Sequence, residues 1–268
     1  MIRQKSVIKF FIPVLAIILI SNSLFATELN VGIHYDNYNT ENKNTFGASI
    51  NITEYITDEF AINATLNNNK NNNYSAYCAG IFNTNSLNFL GGFLFDIRDS
   101  KFSPGVILNG DITIFKFITL GANTNFAFST KNIFENYVTE IESYLTFHCK
   151  NQDVSLMFNY SHTNLLYDIE MEDEYEITPR NYSIGGYLDV LALDERSPCK
   201  IGLLFGVESY KKTYDESFSV LDLNVGGRFI FDIEKFGFVI SGESTVYKIG
   251  AEQPSIPFAI SFTTRFAL

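Results

Sequence analysis

The sequence predicts an all-β fold, a closed antiparallel up-and-down transmembrane β-barrel of about 14 strands, on three observations. Apolar residues make up 46% of the chain and charged ones only 18%, yet beyond residue 26 no apolar run approaches the ~20 residues of a spanning helix. Apolar and polar residues alternate with period two almost to the end of the chain, as in strands whose two faces meet different surroundings. The polar links between these segments alternate between long and short.

Residues 1–26 stand apart. Arg3, Lys5 and Lys9 precede an apolar run, 10–20, and a small polar stretch ending at Ala26. That order is a secretory signal, expected to be cleaved after Ala26, and it leaves 27–268 as one barrel domain in an exported protein. Three positive charges leave with it, taking the formal net charge from −11 to −14. So acidic a body is repelled by phosphate backbones, and nucleic acid is not an expected partner.

The strands follow in order. Leu29, Val31, Ile33 and Tyr35 alternate with Asn30, Gly32, His34 and Asp36 in segment 28–37. Phe46, Ala48, Ile50 and Ile52 do so in 44–54, and Phe60, Ile62, Ala64 and Leu66 in 59–67. In 74–83 and 88–97 glycines blur the two faces. Segments 105–115, 117–129, 138–149 and 153–162 restore the alternation, as with Val154, Leu156, Phe158 and Tyr160 against Ser155, Asn159 and Ser161. Then come 181–190, 200–209, 218–231, 236–247 and 257–268, with 12 or 16 strands as the neighbouring solutions for an even-stranded barrel. The long links are expected at 37–43, 67–73, 98–104, 130–137, 163–180, 210–217 and 248–256.

Alternation alone does not say which face points outward. The polar face is built from Gly, Asn, Ser, Thr and Asp with few Lys or Glu, which suits a narrow aqueous lumen, while Phe, Leu, Ile and Val suit lipid. In hydrocarbon an open sheet edge leaves amides unpaired at several kcal/mol each, so the last strand is expected to pair with the first. An even strand number then puts the N- and C-termini on one side, the periplasmic one.

The leader, together with the terminal strand Ile260-Ser261-Phe262-Thr263-Thr264-Arg265-Phe266-Ala267-Leu268, resembles Gram-negative outer-membrane β-barrel proteins of porin-like type. The resemblance implies an outer-membrane location, lipid as the surrounding partner, and a C-terminal signal (Phe262, Phe266, Leu268) read by the barrel assembly machinery. The chain departs from the pattern by ending in Leu268 rather than Phe.

Projected onto strand direction, Asp36, Asp96, Glu140, Glu142, Glu208, Asp222 and Glu243 fall toward the outer mouth, and Asp111 adds to the acidic lumen. Arg228, Arg265 and Asp189 fall toward the periplasmic end, where the two arginines, flanking Val239, either form a basic constriction or pair with lumen carboxylates. An acidic vestibule, reinforced by Asp168, Glu170, Glu172, Asp173, Glu174 and Glu176, enriches cations and disfavours anions. The solvated-rim reading of the same charges assigns them no transport role.

Other chemistry finds little footing. No His and Ser stand two apart on a strand as base and nucleophile, no calcium-loop order appears in the acidic segment, and Cys78, Cys149 and Cys199 have no metal spacing and read as free thiols. The reading is a non-enzymatic, cofactor-free and metal-free porin-like channel for cations or small neutral solutes. A transporter of hydrophobic substrates and a surface-exposed structural or adhesive barrel are the alternatives, and no oligomeric state is implied.

Overall fold

A computed structural model describes residues 26–36, 45–69, 73–98, 101–128, 137–163, 182–192, 197–211, 217–218, 220–250 and 258–267. The expected leader up to residue 25, the acidic segment 168–176 and Leu268 lie outside these residues. Fourteen strands follow one another: β1 (Ala26–Asp36), β2 (Thr45–Tyr55), β3 (Phe60–Asn69), β4 (Asn73–Asn83), β5 (Leu87–Arg98), β6 (Lys101–Ile114), β7 (Ile118–Phe128), β8 (Tyr137–Cys149), β9 (Gln152–Thr163), β10 (Tyr182–Ala192), β11 (Cys199–Lys211), β12 (Val220–Ile233), β13 (Phe236–Ile249) and β14 (Phe258–Ala267). Each pairs with its neighbours in sequence, and β14 pairs antiparallel with β1, so the sheet closes on itself.

The register fixes the size of the barrel. Following paired Cα atoms once round advances the position on β1 by about 14 residues. With strands ~4.8 Å apart and a rise of ~3.3 Å per residue, this gives a tilt of about 35° and a backbone diameter of about 26 Å. Such a cylinder is too wide for side chains of the size found here to fill.

The apolar face points outward. Phe46, Phe93 and Ile201 are 74%, 69% and 60% exposed, and the inward positions carry Asn, Ser, Thr, Gly and the charges. A water-soluble exterior of that composition would be one continuous apolar patch, far beyond the few hundred Å² that soluble monomers tolerate. Aromatic rings concentrate where β12, β13 and β14 approach their short connections, with Phe231, Phe236, Phe238, Phe262 and Phe266 at centroid separations of 5.3–6.5 Å. At the opposite end Tyr35 contacts Phe46 and Phe258. Rings at both ends of an apolar band are the girdles of membrane barrels.

The two ends differ as the sequence predicts, with two corrections. One end, the turn end, has the short connections and both chain ends of the barrel; the other, the loop end, has the longer links. The expected links 67–73 and 98–104, however, shrink to residues 70–72 and 99–100. Asn67, Asn68 and Asn69 continue β3 against Ser75, Tyr74 and Asn73, because cross-strand pairing overrides the turn preference of asparagine. Pro104 lies inside β6, where pairing with β7 has not yet begun; that ladder starts at Gly105, so the missing N–H interrupts nothing on that flank.

Two local features re-aim side chains. The β6–β7 turn places Phe115 (φ 54°) and Lys116 (φ 64°) in the left-handed region, a conformation that matches the twist of the flanking strands but disfavours both residue types. In β13 a register shift pairs Leu223 with Tyr247 and Asn224 with Thr245. The bulge leaves Val246 and Tyr247 both exposed and turns Lys248 inward, where its Nζ lies 3.7 Å from Asp222, a fully buried carboxylate.

Candidate functional site

The lumen has two unlike walls. On β1–β3 the inward side chains form a ladder of amides and hydroxyls. Asn30 donates to Glu28 at 2.9 Å and to Asn51 at 3.4 Å. Asn51 donates to Asn63 at 3.1 Å and also to Thr65. Asn63, nearly buried, donates to Thr53 at 2.7 Å, and Thr65 donates back to Asn63 at 3.2 Å. The register generates this wall directly, since Asn30, Asn51 and Thr65 are consecutive cross-strand partners and so share a face.

On β6–β11 the wall is acidic and hollow. Glu140, Glu142 and Glu208 line a cavity of about 400 Å³ together with Asn109, Asn123, Asn125 and Tyr187. Asn123 donates to Glu142 at 2.8 Å and Asn125 to Glu140 at 3.1 Å, which holds the carboxylates against the wall. No basic side chain is among the described residues that line it. Along a concave wall of one sign of charge the field is focused, and cations are attracted more strongly than by the same groups on a flat surface.

Glycines keep the bore clear. A Cβ at Gly206 would lie 2.2 Å from the ring of Tyr187, one at Gly121 would lie 2.2 Å from Tyr144, and one at Gly47 would lie 1.8 Å from the ring of His34. Gly202 receives the arm of Arg228 in the same way, 2.8 Å from Cγ and 2.9 Å from Nε. Each of these four side chains lies over a glycine of the neighbouring strand instead of projecting across the lumen. The sequence carried this signal as glycines at inward positions, but it becomes readable only with the register.

The remaining charges find defined places. Asp96, nearly buried, lies toward the loop end of β5, and Asp36 closes β1 there, paired with Thr45 and Ala259. Glu243 sits at mid-barrel opposite Gly226. Asp111 of the acidic lumen set is paired with Asn88 near the turn end, accepts that residue's amide at 3.2 Å and accepts the Tyr144 hydroxyl at 3.3 Å. Asp222 is held by Lys248, a partner that the straight two-residue period hides because the bulge inverts the parity of β13.

Both arginines are engaged with carboxylates. Arg228 bonds Asp189. Arg265 bonds Asp232, donates to the Ile233 carbonyl at 3.0 Å and approaches Glu28 to 3.7 Å. They form two separate ion pairs, not an unpaired basic ring. Phe262 and Phe266 are outward aromatic positions of β14.

A polar chain outside the expected set joins β6, β7, β8 and β9 near the turn end. Asp153 contacts His148 Nδ1 at 2.9 Å, His148 Nε2 contacts Thr119 at 2.8 Å, and Thr119 contacts Thr113 at 2.9 Å. Reading His148 by its sequence neighbours conceals it, because both partners arrive from adjacent strands.

The overall shape matches solved membrane barrels. The chain aligns with the CymD monoaromatic hydrocarbon channel at a TM-score of 0.55 and 8% identity, covering 92% of this chain and 90% of that one. The fold is that of outer-membrane channels. A bacterial polysaccharide outer membrane secretin aligns at 0.52 with 10% identity, over 90% of this chain and 98% of that chain. An outer membrane channel from Pseudomonas putida F1 aligns at 0.52 with 10% identity, over 91% and 96%. No protein-family model and no curated protein matches the sequence.

Proposed function

We propose that this chain is an outer-membrane channel whose lumen favours cations and small neutral solutes. The carrying observation is the cavity lined by Glu140, Glu142 and Glu208 with no basic residue among its described lining, in a barrel where Arg228 and Arg265 are held by carboxylates of their own. Cations gain from the field of that wall and anions are repelled, so selectivity follows from charge placement rather than from a narrow gate.

In this reading the turn end, with both termini, faces the periplasm, lipid surrounds the Phe-rich exterior, and the barrel assembly machinery inserts the chain through β14. Transport needs no enzyme activity, cofactor or metal. The polar lining favours it over a transporter of apolar substrates, whose path requires apolar walls. The adhesive alternative rests on the long links, which lie outside the described residues.

The test is the reversal potential of the refolded full chain in a planar bilayer under a potassium chloride gradient. A cation-selective sign is expected; anion selectivity, or bilayers without conductance, overturns the proposal.

A further inference from the structure

At mid-depth a second cavity of about 390 Å³ has a lining of a different kind. Arg228, Asp189 and Glu243 meet the apolar side chains of Met157, Leu204 and Val239 there. Met157 comes from β9 and Val239 from β13, so the cavity spans a wide arc of the wall.

The two charges that frame it are offset and not paired with each other. Arg228 is the register partner of Ser241, and Glu243 that of Gly226, a diagonal relation that puts their Cα atoms roughly 7–8 Å apart on one face. The guanidinium bonds Asp189 through one Nη, and its Nε is buried against Gly202 without a hydrogen-bond partner. A guanidinium has five N–H donors in a fixed fork, so a single carboxylate contact leaves donors for a second anion. Asp189 and the Gly202 cradle hold that fork in place.

We propose that this cavity binds small zwitterions with an apolar body, free α-amino acids of about the size of leucine. The solute carboxylate docks on Arg228, its ammonium faces Glu243, and its alkyl chain lies on Met157, Leu204 and Val239. A plain anion meets the repulsion of Glu243 and Asp189, and a plain cation leaves the remaining donors of Arg228 unfilled, so the site favours a zwitterion over its singly charged analogues. The inference rests on the channel reading and names a solute class for the same lumen.

The test titrates leucine calorimetrically into the detergent-solubilised full chain, with leucinamide as the cation-only probe, 4-methylpentanoate as the anion-only probe and glycine as the probe without an alkyl chain. Leucine is expected to bind about tenfold more tightly than each, the weight of one charge-assisted contact or one buried alkyl group. Glu243→Gln should abolish the preference over 4-methylpentanoate. Arg228→Lys keeps the charge beside Asp189 but loses the fork, and should narrow the preference over leucinamide.

Equal binding of leucine and the singly charged probes, or a preference unmoved by both substitutions, overturns the inference. Conductance distinguishes the two levels. A cation-selective pore that lacks leucine preference sinks only the subsite, whereas leucine binding by a barrel that does not conduct sinks the channel reading and leaves the subsite as a receptor.

Discussion

The β1–β3 wall and the β6–β11 wall are both polar and both face the same water, but their polar groups are used differently. In the first, the amides of Asn51 and Asn63 exchange hydrogen bonds with each other and with Thr53 and Thr65, so the wall is neutral and stitched to itself. In the second, asparagines hold Glu140 and Glu142 in place along the wall of an open cavity. Polarity thus separates lumen from lipid, whereas the direction in which the hydrogen bonds run separates mechanical cross-ties from groups offered to solutes.

The contrast is broken most strongly from the stitched side. Asn63→Ala removes the side chain that bonds Asn51, Thr53 and Thr65 together and should lower stability by about 1–3 kcal/mol, read by urea titration in lipid vesicles, with ion selectivity unchanged. From the acidic side, Glu140→Gln, Glu142→Gln and Glu208→Gln together should cut the cation-to-anion permeability ratio by about tenfold, roughly 1.4 kcal/mol, with little change in stability. If Asn63→Ala shifts the reversal potential as much as the triple variant does, the division between the walls fails.

Smaller effects sharpen it. Replacing Phe115 with Asn and Lys116 with Gly suits the left-handed turn and should stabilise the barrel by about 1 kcal/mol in the same urea titration, while single-channel current stays as it was. Gly206→Val should lift Tyr187 off the acidic wall into the cavity and reduce conductance by about half, estimated from the size of one aromatic side chain against a bore of this width.

Much of the architecture was legible because one physical demand, a wet face and an oily face on every strand, writes itself into alternate residues. Ile33 against His34 and Leu156 against Ser155 already tell one face from the other, and the small polar make-up of the wet face says which one lines the lumen. What stayed hidden depends on the neighbouring strand. Lys248 reads as the first residue of a link, whereas β13 continues through it and its bulge turns it toward Asp222, and His148 shows its role only when Thr119 and Asp153 arrive from β7 and β9. The acidic cavity was half visible: its glutamates stand in the sequence, but their convergence required the register. The Asn67–Asn69 run misled because asparagine is common in loops, whereas here a paired neighbour extends the sheet.

Arg265 reaches from β14 to Asp232 near the end of β12 and to Glu28 at the start of β1. Every other seam joins strands adjacent in sequence and is able to zip as a hairpin, while this one unites the two extremes of the domain and waits for the whole sheet to curl round. The contact therefore behaves as a latch: it closes last during folding, and its release is where a mature barrel would first come apart.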